Sequence, residues 1–277
     1  STPIKSSAAS DVYKRQPSHS ETREQTVEQT PTDANGATDT TQTIIEEAVT
    51  IPLNIILASQ SPRRRELLEK AGVKFRVQLP STEVDESLEP DDLRDPAEAV
   101  KKLAERKAGA AVQDILALNP IGMGIVIGAD TMVVLDGTIY GKPYSADDAR
   151  RMLRELSGKT HEVMTGVSVW LLMLTEGIDG QEGNVSMAFR SFVETSEVTF
   201  KELSDEDINA YVATGETIDK AGAYGIQGKG AALVDHYEGD YDNIVGLPVT
   251  RLIEDFPDLL KTETEVIVRK IVETTNQ

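Results

Sequence analysis

The segment over residues 57–65 constrains the fold most, because it combines a strand end, a tight turn and a helix start. In its sequence, LASQSPRRR, Ser61 suits the N-cap and Pro62 suits the first helical position. The three arginines then fall in the first helical turn, where the helix dipole is already positive and an anion is needed to stabilise them. Exposed N–H groups and Arg side chains together predict a phosphate site, although a solvated basic face is the alternative.

Strand and helix patterns interleave along the chain, which predicts an α/β fold. The predicted strands cover residues 53–58, 75–79, 125–135, 161–174 and 188–200. The predicted helices cover residues 62–71, 96–116, 145–156, 204–214 and 248–260. The Gly-rich segment 221–237 is predicted to be extended, and Asp136-Gly137 is a hairpin signal.

The first fifty residues are rich in Ser, Thr, Gln and Glu and have almost no apolar periodicity. They predict a disordered N-terminal tail over residues 1–50, followed by one domain over residues 51–272. The tail lacks the apolar region of a secretory signal, and its acidic residues argue against a transit peptide. No apolar run in the sequence is long enough to span a bilayer.

The net charge of −19 argues against general binding of nucleic acids or acidic membranes, which favour a basic surface. It permits a nucleotide ligand, because a local basic cleft can exist in an acidic protein. The absence of cysteine excludes disulfides and thiolate metal sites. It is typical of a reducing compartment, so we expect a cytoplasmic location.

Asp130 interrupts the apolar run of residues 125–135. Because a buried, unpaired carboxylate is costly, we expect it to meet a metal, another cation or solvent in a cleft. A structural Asp that accepts hydrogen bonds from backbone N–H groups is the alternative. Lys142, in Gly141-Lys142-Pro143, can reach the same cleft or can be an ordinary turn lysine.

Two further segments contain candidate ligand-binding residues. Glycines are dense in residues 219–230, where Gln227 offers a donor and an acceptor to a nucleobase; a bulged hairpin is the alternative. The acidic loop contains Glu83, Asp85 and Glu86, and carboxylates without His or Cys favour Mg²⁺ or Mn²⁺. A solvated acidic loop is the alternative there. No P-loop sequence is present.

In combination, these segments resemble the Maf family of nucleoside triphosphate pyrophosphatases. The resemblance covers residues 57–68, 84–86, 104–108, 128–131, 141–143, 156–166, 219–230 and 239–248, in the family's order. It implies an α/β fold with a mixed sheet flanked by helices and two lobes around a cleft, similar to the inosine-triphosphatase type. It also implies hydrolysis of a nucleoside triphosphate to a monophosphate and pyrophosphate.

The resemblance also implies roles for individual residues. Arg63, Thr131 and Gln227 match the branch that acts on dTTP and UTP, with modified pyrimidine triphosphates as further candidate substrates. Asp130 is implied as the proton acceptor. The remaining implied catalytic residues are Glu86 and Lys142, and Ser59, Arg64, Lys107 and Lys142 resemble phosphate-contacting positions. Glu86 and Asp130 are the implied ligands of Mg²⁺ or Mn²⁺.

Two other functions stay open from the sequence. One is a catalytically silent nucleotide-binding regulator of division or growth, against which the retained Asp130, Glu86 and lysines argue. The other is an interaction protein whose tail recruits partners, which leaves the Arg-rich helix start unexplained. We expect a nucleoside triphosphate as partner, with no nucleic acid and no membrane, and a homodimer stays open. Residues 1–50 and the loop 175–184 depart from the minimal family domain.

Overall fold

A computed structural model describes residues 23–26, 40–118, 122–175 and 184–275. Contacts divide the chain into two units, Ser1–Pro52 with Glu263–Gln277, and Leu53–Thr262. The strands are β1 (Arg23–Thr26), β2 (Thr40–Leu57), β3 (Arg76–Val77), β4 (Gly122–Leu135), β5 (Thr138–Tyr140), β6 (Thr160–Leu174), β7 (Val185–Phe200), β8 (Val234–Glu238) and β9 (Glu263–Thr275). The helices are α1 (Pro62–Lys70), α2 (Pro96–Ala117), α3 (Ala146–Leu156), α4 (Asp205–Val212), α5 (Tyr241–Val245) and α6 (Val249–Asp255).

The first unit contains antiparallel strands. β2 pairs with β1 through residues 43–46 and with β9 through residues 40–52. Most of the predicted tail, residues 1–22 and 27–39, lies outside the described residues, whereas residues 40–50 belong to β2. The division into a disordered tail over residues 1–50 and a domain over residues 51–272 therefore stays a prediction.

The second unit is built on a mixed sheet flanked by helices, which confirms the predicted α/β class. The end of β2, residues 53–57, runs parallel to β3 and β4. β4, β6, β7 and β8 then pair antiparallel in that order. The predicted hairpin is confirmed, because β5 returns along β4 through Asp136 and Gly137, whose φ angles are 51° and 78°. The two lobes and the likeness to the inosine-triphosphatase type stay predictions.

The helices predicted over residues 62–71, 145–156 and 204–214 are confirmed, and each begins at a serine N-cap. The side chains of Ser61, Ser145 and Ser204 cap α1, α3 and α4, each accepting a hydrogen bond from the backbone N–H three residues later. This geometry is the usual N-cap arrangement. The first of these caps fixes the start of α1, where the three arginines lie.

The side chains of β4 alternate between two buried layers, because successive residues of a strand point to opposite faces. The larger layer contains the odd-numbered residues Ile125, Ile127, Ala129, Val133 and Leu135. The even-numbered residues Val126, Met132 and Val134 pack in layers that include residues of α2. The same alternation assigns Asp130 to the face covered by α2 and Thr131 to the opposite face.

α2 approaches the sheet closely at two glycines. A Cβ atom at Gly128 would lie 2.7 Å from the Cβ and N atoms of Ala108 and 2.8 Å from the carbonyl oxygen of Ala104. A Cβ atom at Gly166 would lie 2.5 Å from the carbonyl oxygen of Val100. These contacts leave no room for a side chain, so both glycines set the position of α2 and of Lys107, the neighbour of Ala108.

Two predicted segments differ from the structure. The segment 221–237 is not extended throughout, because it forms 3₁₀ turns over Ala221–Ala223 and Gly228–Leu233 before β8 begins. The helix predicted over residues 248–260 consists of α6 and a 3₁₀ turn over Pro257–Leu260. Pro257 disfavours helical backbone at the residue before it, which explains the break at Phe256.

Most of the predicted insertion, residues 176–183, lies outside the described residues. Its two flanking residues are joined by a hydrogen bond of 3.0 Å from the N–H of Thr175 to the carbonyl oxygen of Asn184. Among the helices that the structure describes, none combines the length and the hydropathy that a bilayer crossing requires.

Candidate active site

The first part of the site is the turn between β2 and α1. The Oγ atom of Ser61 accepts a hydrogen bond of 3.4 Å from the N–H of Arg64, and the Oγ atom of Ser59 accepts one of 3.2 Å from the N–H of Ser61. Pro62 is the first residue of α1. This turn brings Ser59 and Arg64, both predicted to contact phosphate, into direct contact.

The guanidinium of Arg64 is surrounded by four hydrogen-bond acceptors. Its Nε atom donates to the carbonyl oxygen of Gly246 at 2.7 Å, and Nη1 donates to the carbonyl oxygen of Ala129 at 2.8 Å. Nη1 also donates to the Oγ atom of Ser59 at 3.2 Å, and Nη2 donates to the Oγ1 atom of Thr131 at 3.0 Å. None of these acceptors is a carboxylate, so the arginine is held in place by neutral groups.

Burial lowers the pKa of Arg64 below its usual value, and the charge of Asp130 opposes that effect by raising it. An arginine nevertheless keeps its charge in proteins. A desolvated cation that is bound only by neutral acceptors favours an anionic ligand. The alternative interpretation of this segment, a solvated basic face, therefore does not apply to Arg64.

The second part of the site joins the acidic loop, α2 and β4. The Nζ atom of Lys107 contacts the Oε1 atom of Glu86 at 2.9 Å and also binds the Oδ1 atom of Asp130. The side chains of Lys107 and Asp130 are 16% and 15% exposed, whereas Glu86 is 52% exposed. Asp130 is thus the shielded carboxylate, and Glu86 is the one that faces solvent.

The pKa of Glu86 is below its usual value of 4.5. Burial raises this pKa, but the hydrogen bond and charge of Lys107 and the charges of Lys142 and Arg64 together outweigh it. Glu86 is therefore ionised at neutral pH. The charges of Lys107, Lys142 and Arg64 all act on the carboxylate of Glu86, so Lys142 also contributes to the electrostatics of the site.

Three of the predicted site residues make fewer contacts with the other site residues, namely Arg63, Lys142 and Gln227. The Nη1 atom of Arg63 contacts the Oδ2 atom of Asp219 at 3.4 Å, at the start of the Gly-rich segment. Lys142 and Gln227 are exposed, and neither side chain hydrogen-bonds to another predicted site residue within the part of the chain that the structure describes. The structure thus joins Ser59, Arg64 and Thr131, and separately Glu86, Lys107 and Asp130.

Asp219 anchors the Gly-rich segment by ion pairs. Its Oδ1 atom lies 2.6 Å from the Nζ atom of Lys220, in addition to the contact with Arg63. Burial raises the pKa of Asp219, but the hydrogen bond and charge of Lys220 and the charge of Arg63 lower it by more. The segment that carries Gln227 is thereby tied to the first turn of α1.

The glycines of this segment are required by close backbone packing. A Cβ atom at Gly230 would lie 2.1 Å from the carbonyl oxygen of Gly225 and 2.8 Å from the Oη atom of Tyr211. The same Oη atom accepts a hydrogen bond of 3.3 Å from the N–H of Gly225. The segment is therefore a folded loop against α4, which corrects the bulged-hairpin alternative.

Thr165 and Asn243 contact the site, and the sequence does not predict them. The Oγ1 atom of Thr165 lies 2.9 Å from the Oγ1 atom of Thr131, its cross-strand partner. Thr165 also donates a hydrogen bond of 3.0 Å to the backbone carbonyl oxygen of Asn243. The signal in the sequence that could have identified Thr165 is its polar hydroxyl within the apolar strand β6, just as the carboxylate of Asp130 is the polar group within β4.

The candidate metal ligands are the carboxylates of Glu86 and Asp130, which converge on one cation, the ammonium of Lys107. Among the described residues, no group of three or more His, Cys, Asp or Glu side chains is arranged to bind a metal. Two carboxylates suit Mg²⁺, which commonly binds through one or two carboxylates together with substrate phosphates. The donor set therefore fits a metal that arrives with a triphosphate.

Comparison with known proteins gives consistent matches. A family profile described as Maf-like protein matches residues 54–258. A protein of Bacillus cytotoxicus named dTTP/UTP pyrophosphatase is 46% identical over 200 residues, which are 72% of this chain and 92% of that protein. Proteins with the same name from Dictyoglomus thermophilum and Bacillus cereus strain AH820 are 48% and 45% identical, with 72% and 73% of this chain covered and 92% and 93% of theirs. The resemblance inferred from the motifs is confirmed.

Proposed function

The chain belongs to the Maf family, and we propose that it hydrolyses dTTP and UTP to the nucleoside monophosphate and pyrophosphate. The predicted enzyme class, nucleoside triphosphate pyrophosphatase, is the class named for relatives that are 45–48% identical to this chain over 198–201 aligned residues. The observation that carries the proposal is the pairing of Lys107 with Asp130 and Glu86. Arg64 is bound beside this cluster, at the carbonyl oxygen of Ala129 and the hydroxyl of Thr131.

Asp130 is the proposed proton acceptor. Its Oδ1 atom binds Lys107, so we assign Oδ2 as the atom that takes a proton from the attacking water. The water oxygen forms a bond to the α-phosphorus while the bond to the pyrophosphate oxygen breaks. Lys107 orients Asp130, and the low exposure of Asp130 limits competition from bulk water.

The basic side chains are proposed to bind the triphosphate. Arg64 contributes a guanidinium held by four hydrogen bonds, and Lys107 and Lys142 contribute ammonium groups. Their charges would offset the negative charge that develops on the departing pyrophosphate. Ser59 completes this group by orienting Arg64 through the 3.2 Å hydrogen bond between them.

Glu86 and Asp130 would hold Mg²⁺ or Mn²⁺, which would offset phosphate charge and polarise the α-phosphate. Lys107 already contacts both carboxylates. When the metal and triphosphate bind, we expect the ammonium of Lys107 to turn from Glu86 towards a phosphate oxygen. Glu86 is the more exposed of the two carboxylates, so it can be released at lower cost.

Base selection is proposed to reside in Gln227, Arg63 and Thr131. Gln227 is exposed at the start of the Gly228–Leu233 turn, and its amide offers a donor and an acceptor to a pyrimidine edge. Arg63 anchors the same segment through Asp219. Modified pyrimidine triphosphates fit this scheme when the modification leaves that edge intact.

The experiment that tests the proposal is a triphosphate panel with separate detection of pyrophosphate and orthophosphate. It contains dTTP, UTP, a modified dUTP, dCTP, dGTP and a methylated GTP, each with Mg²⁺, with Mn²⁺ and with EDTA. We expect pyrophosphate from dTTP and UTP first and loss of activity in EDTA. Binding of dTTP without any product would instead support the silent regulator, and preference for methylated GTP would overturn the branch.

The remaining proposals concern the setting of the enzyme. We propose a cytoplasmic location, which the absence of cysteine supports. We propose a nucleoside triphosphate as the main partner, without nucleic acid or membrane, in line with the net charge of −19. A homodimer stays a prediction that sedimentation can test.

A further inference from the structure

We propose that Thr165 is a positioning residue for the phosphate site, which acts through Thr131 and Arg64. This inference rests on the proposed function, because it concerns the same site. It assigns a role to Thr165 in addition to the base-selective role that the family resemblance implies for Thr131. The observation behind it is a hydrogen-bonded chain that leads from Arg64 into the interior.

The chain of hydrogen bonds has a single direction. It starts at the Nη2 atom of Arg64, passes through the Oγ1 atoms of Thr131 and Thr165, and ends at the carbonyl oxygen of Asn243, with distances of 3.0, 2.9 and 3.0 Å. Arginine can only donate and a carbonyl oxygen can only accept. Thr165 therefore donates to Asn243, and Thr131 must donate its only hydroxyl proton to Thr165.

This direction limits what Thr131 can do. Its hydroxyl proton is used within the protein, and one of its lone pairs accepts from Arg64. Thr131 thus has no proton to donate to a nucleobase. Its second lone pair stays available to an N–H donor of a nucleobase, while its orientation towards Arg64 depends on Thr165, which accepts its proton.

The chain closes into a ring through α5 and its C-terminal cap. The Nε atom of Arg64 donates to the carbonyl oxygen of Gly246, three residues after Asn243. Gly246 caps the C-terminus of α5 and has a φ of 130°, a backbone conformation that residues other than glycine rarely adopt. Two sides of the guanidinium are thereby fixed to the same turn of the chain.

The side chain of Asn243 anchors this turn to the sheet. It is fully buried, and its Nδ2 atom donates to the carbonyl oxygen of Val163 at 3.0 Å and to the Oγ atom of Ser196 at 2.9 Å. The carbonyl oxygen that receives the proton of Thr165 therefore has a defined position. Hydrogen bonds in a polarised, buried chain of this kind strengthen one another.

β6 offers a matched control for Thr165. Thr160 also lies in β6, and its Oγ1 atom is 2.8 Å from the Oγ1 atom of Thr199, its cross-strand partner in β7. This pair is exposed and has no hydrogen bond to Arg64 in the described structure. Thr165→Val and Thr160→Val thus make the same chemical change in the same strand, and only the first breaks the chain to Arg64.

The experiment measures binding of inorganic pyrophosphate by calorimetry and kcat/KM for dTTP and dCTP. We expect Thr131→Val and Thr165→Val to weaken pyrophosphate binding by about two- to tenfold, the effect of one lost hydrogen bond. In Thr165→Val, the ratio of kcat/KM for dTTP to that for dCTP should stay unchanged. Thr165→Ser should restore binding because it keeps the hydroxyl, and Thr160→Val should resemble the wild type.

Several results would overturn the inference. One is a changed dTTP/dCTP ratio with normal pyrophosphate binding in Thr165→Val, which would place Thr165 in base selection. Others are equal losses in Thr160→Val and Thr165→Val, or no pyrophosphate binding by the wild type. If Thr165→Val does not fold, Thr131→Val and Thr165→Ser decide the question. A wild type that binds pyrophosphate but does not hydrolyse dTTP would refute the proposed function, while the binding measurements still test the inference.

Discussion

The position of α2 against β4 should control activity through Gly128. A Cβ atom there would lie 2.7 Å from the Cβ and N atoms of Ala108, and ordinary contact begins at 3.4 Å. In Gly128→Ala, α2 therefore has to retreat by about 0.7 Å, because backbone atoms cannot rotate away as a side chain does. Lys107 would then move away from Asp130 together with its neighbour Ala108.

Two magnitudes follow for Gly128→Ala. Overpacking of a buried contact costs roughly 1–3 kcal/mol, which lowers the melting temperature by about 3–9 °C for a domain of this size. Displacement of a catalytic group by nearly 1 Å costs on the order of tenfold to a hundredfold in kcat/KM. Thermal unfolding and dTTP hydrolysis should be measured on the same preparation, with hydrolysis assayed below the unfolding transition of both proteins.

Gly109→Ala is the matched control. Gly109 lies within α2, and a Cβ atom there would be 3.7 Å from the Cζ2 atom of Trp170, an ordinary contact. Alanine should stabilise this helical position by about 0.5–1 kcal/mol and leave kcat/KM unchanged. The reasoning is refuted if Gly128→Ala is as stable and as active as the wild type, or if the two variants behave alike.

Three further predictions concern single residues. Asp130→Asn should nearly abolish dTTP hydrolysis while its melting temperature stays close to that of the wild type. The control Asp136→Asn, in the hairpin turn, should be fully active. An active Asp130→Asn variant would show that Asp130 is not the base. Gln227→Glu should weaken dTTP and UTP hydrolysis by about ten- to a hundredfold, because a mismatched hydrogen-bonding edge is costly when the base binds. The melting temperature should not change, because Gln227 is exposed. Unchanged rates would show that Gln227 does not select the base. Burial lowers the pKa of His161 from 6.5 to about 4, so the unfolded chain binds more protons than the folded chain between these pH values. The free energy of unfolding should therefore fall by about 2 kcal/mol between pH 7 and pH 5. In urea unfolding, His161→Gln should lack this decrease, and a pH dependence identical to that of the wild type would contradict the prediction.

The features predicted correctly from the sequence are those that depend on neighbouring residues. Ser61, Ser145 and Ser204 bind backbone groups three residues away, so local sequence suffices to place the helix starts. The hairpin at Asp136-Gly137 is equally local. The carboxylate of Asp130 was informative because a charge in an apolar strand requires a partner, although the sequence did not identify Lys107 as that partner.

The features missed by the sequence depend on contacts between distant segments. Lys107 reaches Asp130 because α2 touches β4 at Gly128 and β6 at Gly166, and these two contacts follow from the packed fold. Thr165 meets Thr131 only because of the register between β4 and β6, which hydrophobic patterns do not specify residue by residue.

Local conformation was also misjudged where tertiary contacts determine it. The loop around Gly225 and Gly230 folds against Tyr211, which the density of glycines does not reveal. α5 has five residues, too few for a helical pattern to be recognised, yet it provides the carbonyl group that ends the chain from Arg64.

The most direct test of the central claim is hydrolysis of dTTP in ¹⁸O-labelled water, with mass spectrometry of the products. If a water activated by Asp130 attacks the α-phosphorus, the label appears in dTMP and the pyrophosphate is unlabelled. Label in pyrophosphate would place the attack on the β-phosphorus, and labelled orthophosphate with dTDP would place it on the γ-phosphorus. Either result, or the absence of hydrolysis, would contradict the account.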